Sequence, residues 1–314
     1  MKLRNIAVLG AGAVGSYILW GLRNTPDIRL YVISEGERNA RLKEKSLTVN
    51  GERLSLNVRT ADELRDEIPE GPDLIIVAVK YISLQESLSD IERIAGDNTL
   101  VMSLLNGVDS EQIIKRVIPE ERIITSLIKI ASQRNGNSIN FPVPAEGMGV
   151  IYGAETASQK DYVNSIKELF DSGEIVHHVS DDIRKDLWLK YSINISQNIP
   201  QAILSSGVGI FNKSQNADFL RTSLRSEVIK IAAHYGIDID VDDSWSLDPS
   251  NGINPAARYS TLQDLDAGRR TEIDMLSGTV VRLGHELGIP VPYNEFAYHI
   301  VKALEERNES KFNF

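Results

Sequence analysis

The 314-residue chain contains no cysteine. That excludes a disulfide framework, a thiolate nucleophile and any cysteine-ligated metal. Positive charge is in short supply as well: 34 lysines and arginines stand against 44 acidic residues, a formal net charge of −10. A nucleic-acid surface needs a basic patch to displace phosphate counterions, so no nucleic-acid partner is expected. The five histidines show no HExxH-type spacing, and no metal site is expected. No apolar run approaches the 18 or so residues that a membrane span needs. The apolar N-terminal stretch is broken by glycines, where a signal peptide would keep a continuous run. These absences predict a soluble, cytoplasmic protein with neither a membrane nor a nucleic acid as partner.

What is present fits a folded globular protein. Apolar residues make up 42% and charged residues 25%, with no low-complexity tract, a composition that argues against disorder. The length suggests two domains. Residues 1–180 alternate strand-like and helix-like patterns. Ile6–Leu9, Arg29–Ile33, Leu74–Val79, Leu100–Leu104 and Ile123–Ile128 are apolar runs suited to buried parallel strands. Amphipathic stretches such as Ser83–Ala95 and Ser110–Arg116 separate them, which implies βαβ units and an α/β fold with a parallel sheet. Ser138–Ile151 is rich in proline and glycine; a helix near Lys160–Phe170 and a short strand, Glu174–Val179, complete the edge of this domain. Residues 181–314 read as almost all helix. One helix runs from Asp181 or Asp182 to about Leu204, with Pro200 kinking or ending it, and Phe219–Tyr235, Ala267–Leu287 and Tyr293–Arg307 follow. The expected fold is an N-terminal Rossmann-type domain, 1–180, and an all-helical C-terminal domain, 181–314, with ligands in the cleft between them.

Gly10-Ala11-Gly12-Ala13-Val14-Gly15 is a GxGxxG. The motif alone is weak, but here it follows an apolar strand directly and opens a helical run. Gly10 suits the tight turn, Gly12 the close approach of a diphosphate, and Gly15 the close packing of helix on strand. The reading is a nicotinamide dinucleotide cradled on the N–H groups of that helix. Glu35, twenty residues past Gly15, stands where an acidic residue reads the ribose 2′-hydroxyl, which favours NADH. Arg38 and Arg41 are the alternative, since either side chain can turn toward the 2′-phosphate of NADPH. Lys80 and Asn106 follow parallel strands at the carboxyl edge, where Rossmann ligands bind; otherwise they are a surface lysine and an ordinary Asn-Gly turn.

On a helical wheel of ~100° per residue, Leu187, Tyr191, Ile195 and Ile199 form one apolar arc, and Leu189 and Ile193 another. Lys190, Asn194, Gln197, Asn198 and Gln201 share the gap between them. A polar stripe with apolar surface on both sides suits an enclosed cleft, where a bound ketone or anion would partner it; the alternative is a solvated face. A lysine ammonium in such a cleft can protonate a developing alkoxide. Glu272 can hold that ammonium in place, or pair with a neighbouring arginine in Arg269-Arg270-Thr271-Glu272.

These motifs occur in a set order: the glycine loop, Val77-Ala78-Val79-Lys80, Leu105-Asn106-Gly107-Val108, then Trp188-x-Lys190-x3-Asn194-x3-Asn198. Ser260-Thr261-Leu262-Gln263-Asp264 and Arg269-Arg270-Thr271-Glu272-Ile273-Asp274 close the series. Together they resemble the ketopantoate reductase family, the NADPH-dependent 2-dehydropantoate 2-reductases of pantothenate and coenzyme A biosynthesis. The resemblance implies that Lys190 is the proton donor and that Asn194, Asn198 and Ser260 contact substrate. It puts Lys80 and Asn106 near the nicotinamide and Glu272 beside lysine and cofactor, and it implies a homodimer through the helical domain. Two departures stand out: Glu35 occupies a place where NADPH-using members carry arginine, and Ile123–Ala131 lacks the family's glycine pair. Besides this reading, two others remain open. One is a reductase of the same architecture for another 2-oxoacid or an opine-like product; the other is a non-catalytic dinucleotide-binding sensor.

Overall fold

Apolar runs without a polar break become inner strands of a parallel sheet, because helices cover both of its faces. The computed structural model describes residues 1–44, 47–142, 148–239 and 254–310. The chain divides into two units, Met1–Ile183 and Arg184–Phe314. In the first, β1 (Asn5–Leu9), β2 (Arg29–Ile33), β5 (Val58–Arg59), β6 (Leu74–Val77), β7 (Leu100–Ser103) and β8 (Ile123–Ile124) make one sheet. Its order is β5-β2-β1-β6-β7-β8 and every pairing is parallel, with Val8 opposite both Val32 and Ile76. Strand order reverses at β1 and β6, so the carboxyl ends there form the switch point of a doubly wound α/β sheet.

Alternation across the sheet sends side chains to two cores. Ile6, Val8, Val32, Ile76 and Met102 pack with α1 (Ala13–Leu22) and α6 (Lys160–Asp171). Ala7, Leu9, Ile33, Ile75 and Val101 pack with α3 (Ala61–Glu67) and α4 (Leu84–Ile94). The helix α2 (Gly36–Glu44) follows β2, and the short α5 (Ser110–Ile114) follows β7.

The run Ile123–Ile128 is two strands rather than one. After β8, Thr125 gives its hydroxyl to the Glu155 carboxylate and its carbonyl accepts from the Gly153 N–H. The chain then leaves the main sheet as β9 (Ser126–Lys129), which pairs antiparallel with β12 (Gly149–Tyr152); β13 (His177–Val179) adds to β12 in parallel. A further small sheet joins β3 (Leu47–Val49), β4 (Glu52–Leu54), β10 (Gln133–Asn135) and β11 (Ser138–Asn140).

The described residues of the second unit carry helices and turns: α7 (Ile183–Leu204), α8 (Gln215–His234), α9 (Ser260–Asp266), α10 (Thr279–Leu287) and α11 (Pro292–Asn308). α7 continues past Pro200. The buried Glu227 of α8 accepts from the N–H groups of Tyr293 and Asn294, both at 2.9 Å, and so caps the first turn of α11. Periodicity over Ala267–Leu287 suggests one helix, but the structure breaks it. α9 closes on left-handed Gly268 (φ +64°), and a π turn at Asp274–Gly278, with Leu276 off helical geometry, precedes α10. Among the described residues no helix is long and apolar enough to cross a membrane, and no side-chain cluster is fit to hold a metal.

Candidate active site

The glycine loop joins β1 to α1 and each glycine has its own constraint. A Cβ on Gly10 (φ +99°) would lie 2.7 Å from the Ala78 carbonyl oxygen, and one on Gly15 would lie 1.8 Å from the Gly10 carbonyl oxygen. Both glycines are therefore fixed by packing. Gly12 is different: nothing lies within 4 Å of where its Cβ would stand, and no side chain caps the N-terminus of α1. An open approach to uncapped helix N–H groups fits a dinucleotide diphosphate. Ala11, Ala13 and Val14 fill the turn between these glycines without placing a charge near it.

The other expected cofactor residues share that carboxyl edge. Glu35 follows β2, Lys80 follows β6 and Asn106 follows β7, so four adjacent strands contribute. The Glu35 carboxylate is anchored, because its Oε1 accepts from the Ala61 N–H at the start of α3 at 2.7 Å. Both signs of charge lie around it. Burial raises the Asp90 carboxyl above its ordinary range, the Glu35 and Asp62 charges raise it further, and Arg93, paired with Asp62 at 2.7 Å, lowers it. Arg41 is exposed with no ion pair among the described residues, and Arg38 is exposed as well.

The polar stripe of α7 is enclosed over part of its length. Lys190 and Asn194 are half-buried, whereas Gln197, Asn198 and Gln201 are buried. Gln201 is a structural tie: its Oε1 accepts from the Tyr259 N–H at 2.9 Å and its Nε2 donates to the Ala257 carbonyl. This fixes the start of α9, and hence exposed Ser260, against the helix that carries Asn194 and Asn198. A second tie lies beside Lys190. The hydroxyl of Tyr191, 1% exposed, donates to the Leu276 carbonyl at 2.7 Å, in the π turn four residues after Glu272. Arg269 pairs with Asp264 and Arg270 with Glu309, each at 2.7 Å. The half-buried Glu272 carboxylate pairs with neither arginine, and makes no hydrogen bond or ion pair among the described residues.

Comparison with known proteins decides the family. The model for "Ketopantoate reductase PanE/ApbA" matches residues 6–152, and that for its C-terminal domain matches 182–305. The chain belongs to the ketopantoate reductase family. It is 28% identical over 307 residues to a 2-dehydropantoate 2-reductase of Pyrococcus horikoshii, covering 96% of this chain and 97% of that one. It is 25% identical over 304 residues to one of Streptococcus pyogenes, with the same coverage. A solved D-mandelate dehydrogenase, bound to NADH and anilino(oxo)acetate, superposes with a TM-score of 0.85 at 25% identity, covering 97% of this chain and 99% of that one. The chain is therefore an NAD(P)-dependent oxidoreductase of ketopantoate reductase type, with the α/β and helical architecture of that family.

This ketopantoate reductase relative also carries buried polar groups that sequence reasoning missed. Tyr191 gave no signal beyond its place on an apolar arc. Glu111, in the first turn of α5, looks like an ordinary helix-start acid; only the fold shows that it is buried. Burial pushes its carboxyl up to about 7, against its own N–H and the Ser110 hydroxyl, which lower it.

Proposed function

We propose that the chain reduces the ketone of 2-dehydropantoate to the 2-hydroxy acid in the route to pantothenate and coenzyme A. The observation that carries this reading is the α7 stripe: half-buried Lys190 and Asn194 with buried Asn198 on one helix, to which the Ser260 and Glu272 segments are both tied. A nicotinamide dinucleotide, when bound, supplies the hydride to the carbonyl carbon. Gly10–Gly15 hold its diphosphate, with Lys80 and Asn106 toward the nicotinamide. As the carbonyl π pair moves onto oxygen, the Lys190 ammonium stabilises the negative charge and gives that oxygen its proton. Asn194 and Asn198 hold the substrate by amide hydrogen bonds and Ser260 adds a hydroxyl; Glu272, whose carboxylate makes no ion pair among the described residues, is assigned to the cofactor and substrate side of the lysine. This division gives the dinucleotide to the first unit and the proton donor to the second.

The D-mandelate dehydrogenase likeness favours a second reading, a 2-oxoacid with a phenyl side chain. Steady-state rates over a panel of branched and aryl 2-oxoacids, each with NADH and with NADPH, separate the two. The highest kcat/KM is expected for 2-dehydropantoate. A maximum on an aryl substrate transfers the assignment, and tight dinucleotide binding without turnover points to a sensor. NADH is expected to serve at least as well as NADPH, because the Glu35 carboxylate repels a 2′-phosphate. Assembly as a homodimer through the second unit belongs to the same reading. Phe219, Tyr293 and Phe296 are 56%, 45% and 71% exposed, with the first two rings edge-on at 6.1 Å, a patch of the kind interfaces cover. Light scattering of the wild type and of Phe296→Glu is expected to give a dimer and a monomer.

A further inference from the structure

The loop Leu104–Asp109 carries Asn106 and left-handed Gly107 (φ +98°) at its tip. Its base is closed by a buried chain of hydroxyl groups. The Leu105 N–H faces Ser103 Oγ at 3.4 Å, Ser103 Oγ donates to Ser110 Oγ at 2.8 Å, and Ser110 Oγ donates to Glu111 Oε2 at 2.9 Å. Ser126 Oγ donates to the Ser103 carbonyl at 2.6 Å, and Tyr81 donates to Asp109 at 2.7 Å. Ser103, Ser110 and Glu111 are all buried.

Every donor in that chain points the same way, and the carboxylate is where it ends. We propose that Glu111 is a positioning residue: acting through Ser110 and Ser103, its carboxylate closes the base of the Leu104–Asp109 loop and so sets the affinity for the dinucleotide. This rests on the reading of Asn106 as a nicotinamide-side residue. The physical argument concerns proton order. With Glu111 ionised, each donor has an acceptor. Protonation on Oε1 replaces the charged acceptor of Ser110 by a weaker neutral one; protonation on Oε2 makes the carboxyl donate to Ser110, which then turns its own proton toward Ser103. In that reversed order Ser103 Oγ has two donors facing it and no acceptor in the chain for its own hydrogen, an expensive state in a buried site. The loop base then loosens.

Burial pushes the Glu111 carboxyl up to about 7, which gives this chain of hydroxyl groups a pH dependence. The titratable groups that face it are Asp109 on its own turn and Glu155 in the segment after β12; both are acidic and both raise it. If only the ionised form binds, the apparent affinity scales with its fraction, so it strengthens by up to about tenfold between pH 6 and pH 8.

NADH is the probe, since it has no 2′-phosphate to titrate in that range. Its affinity is measured by fluorescence at pH 6, 7 and 8 for wild type, Glu111→Gln and Ser110→Ala. In parallel, the Gly107 amide of 15N-glycine-labelled protein without nucleotide is followed over the same pH range. The wild type is expected to bind several-fold tighter at pH 8, with a Gly107 shift of midpoint near 7. Both responses should vanish in Glu111→Gln, and in Ser110→Ala, which cuts the chain but keeps the carboxyl. A Gly107 midpoint that persists unchanged in both variants overturns the proposal. A Gly107 shift that responds to the variants while NADH binding is absent or flat keeps the loop mechanism and removes the dinucleotide from this loop.

Discussion

At the scale of single residues, two side chains carry opposite kinds of claim. Lys190 is assigned to chemistry, so Lys190→Ala should lower turnover by roughly 10²–10⁴-fold, the usual contribution of a positioned acid. Dinucleotide affinity should stay within a few-fold, and titration calorimetry beside steady-state kinetics checks both; unchanged turnover in the folded variant removes Lys190 from the mechanism. Glu35 is assigned to cofactor choice. Its carboxylate is held by the Ala61 N–H, and a fixed negative charge there repels a 2′-phosphate. Glu35→Arg should shift the ratio of kcat/KM toward NADPH. A wild type that strongly prefers NADPH would mean that Arg38 or Arg41 reads the ribose.

At the scale of elements, the glycine loop separates two costs that a binding assay alone would merge. Gly12→Val should fold normally, since Gly12 has φ −77° and open space around its Cβ, yet lose dinucleotide binding. Gly15→Ala should melt earlier, by on the order of 1–3 kcal/mol of stability, because its methyl meets the Gly10 carbonyl. Thermal unfolding of the two variants beside calorimetric titration reads both effects. The central strands were legible because β1, β2, β6 and β7 are apolar runs that need no partner to be recognised. The break at Thr125 had a local signal, the polar pair Thr125-Ser126 inside the run Ile123–Ile128, but nothing nearby in the chain says that the second half pairs with β12 in another sheet. Short β3, β4 and β5 carry too few residues for a period of two. α3 carries a signal of its own in the sequence, the capping box Thr60-x-x-Glu63. Over Ala267–Leu287 the amphipathic period continues while the backbone does not, since Gly268 can leave the helix without disturbing the apolar pattern. The candidate residues of α7 could be named from their spacing. The ties through Gln201 and Tyr191 could not, because their partners lie about 60 and 85 residues further along the chain.

At the scale of the whole molecule, one buried carboxyl gives the stability a pH signature. The folded-state value of Glu111 lies above the ordinary 4.5, at about 7. Between those values the unfolded chain ionises there and the folded chain does not. Its stabilising contribution is therefore complete below about pH 4.5 and lost as the pH rises through 7. The loss is on the order of 3 kcal/mol. Denaturant unfolding at pH 5, 6, 7 and 8 should show this fall in the wild type and a flatter profile in Glu111→Gln. A wild-type profile as flat as that of the variant would place the folded titration near its ordinary value.

The π turn at Asp274–Gly278 breaks an angular relation. An α-helix advances about 100° with each residue, and an i→i−5 turn absorbs one residue more than the regular spiral would. The chain before α10 therefore does not continue its spiral: Leu276 leaves helical geometry inside the turn, and Glu272 approaches in a direction that the period of α10 does not set. The Tyr191 hydroxyl holds that break at the Leu276 carbonyl. Deleting one residue there would let the helix run on and would turn Glu272 away from where the break now sends it.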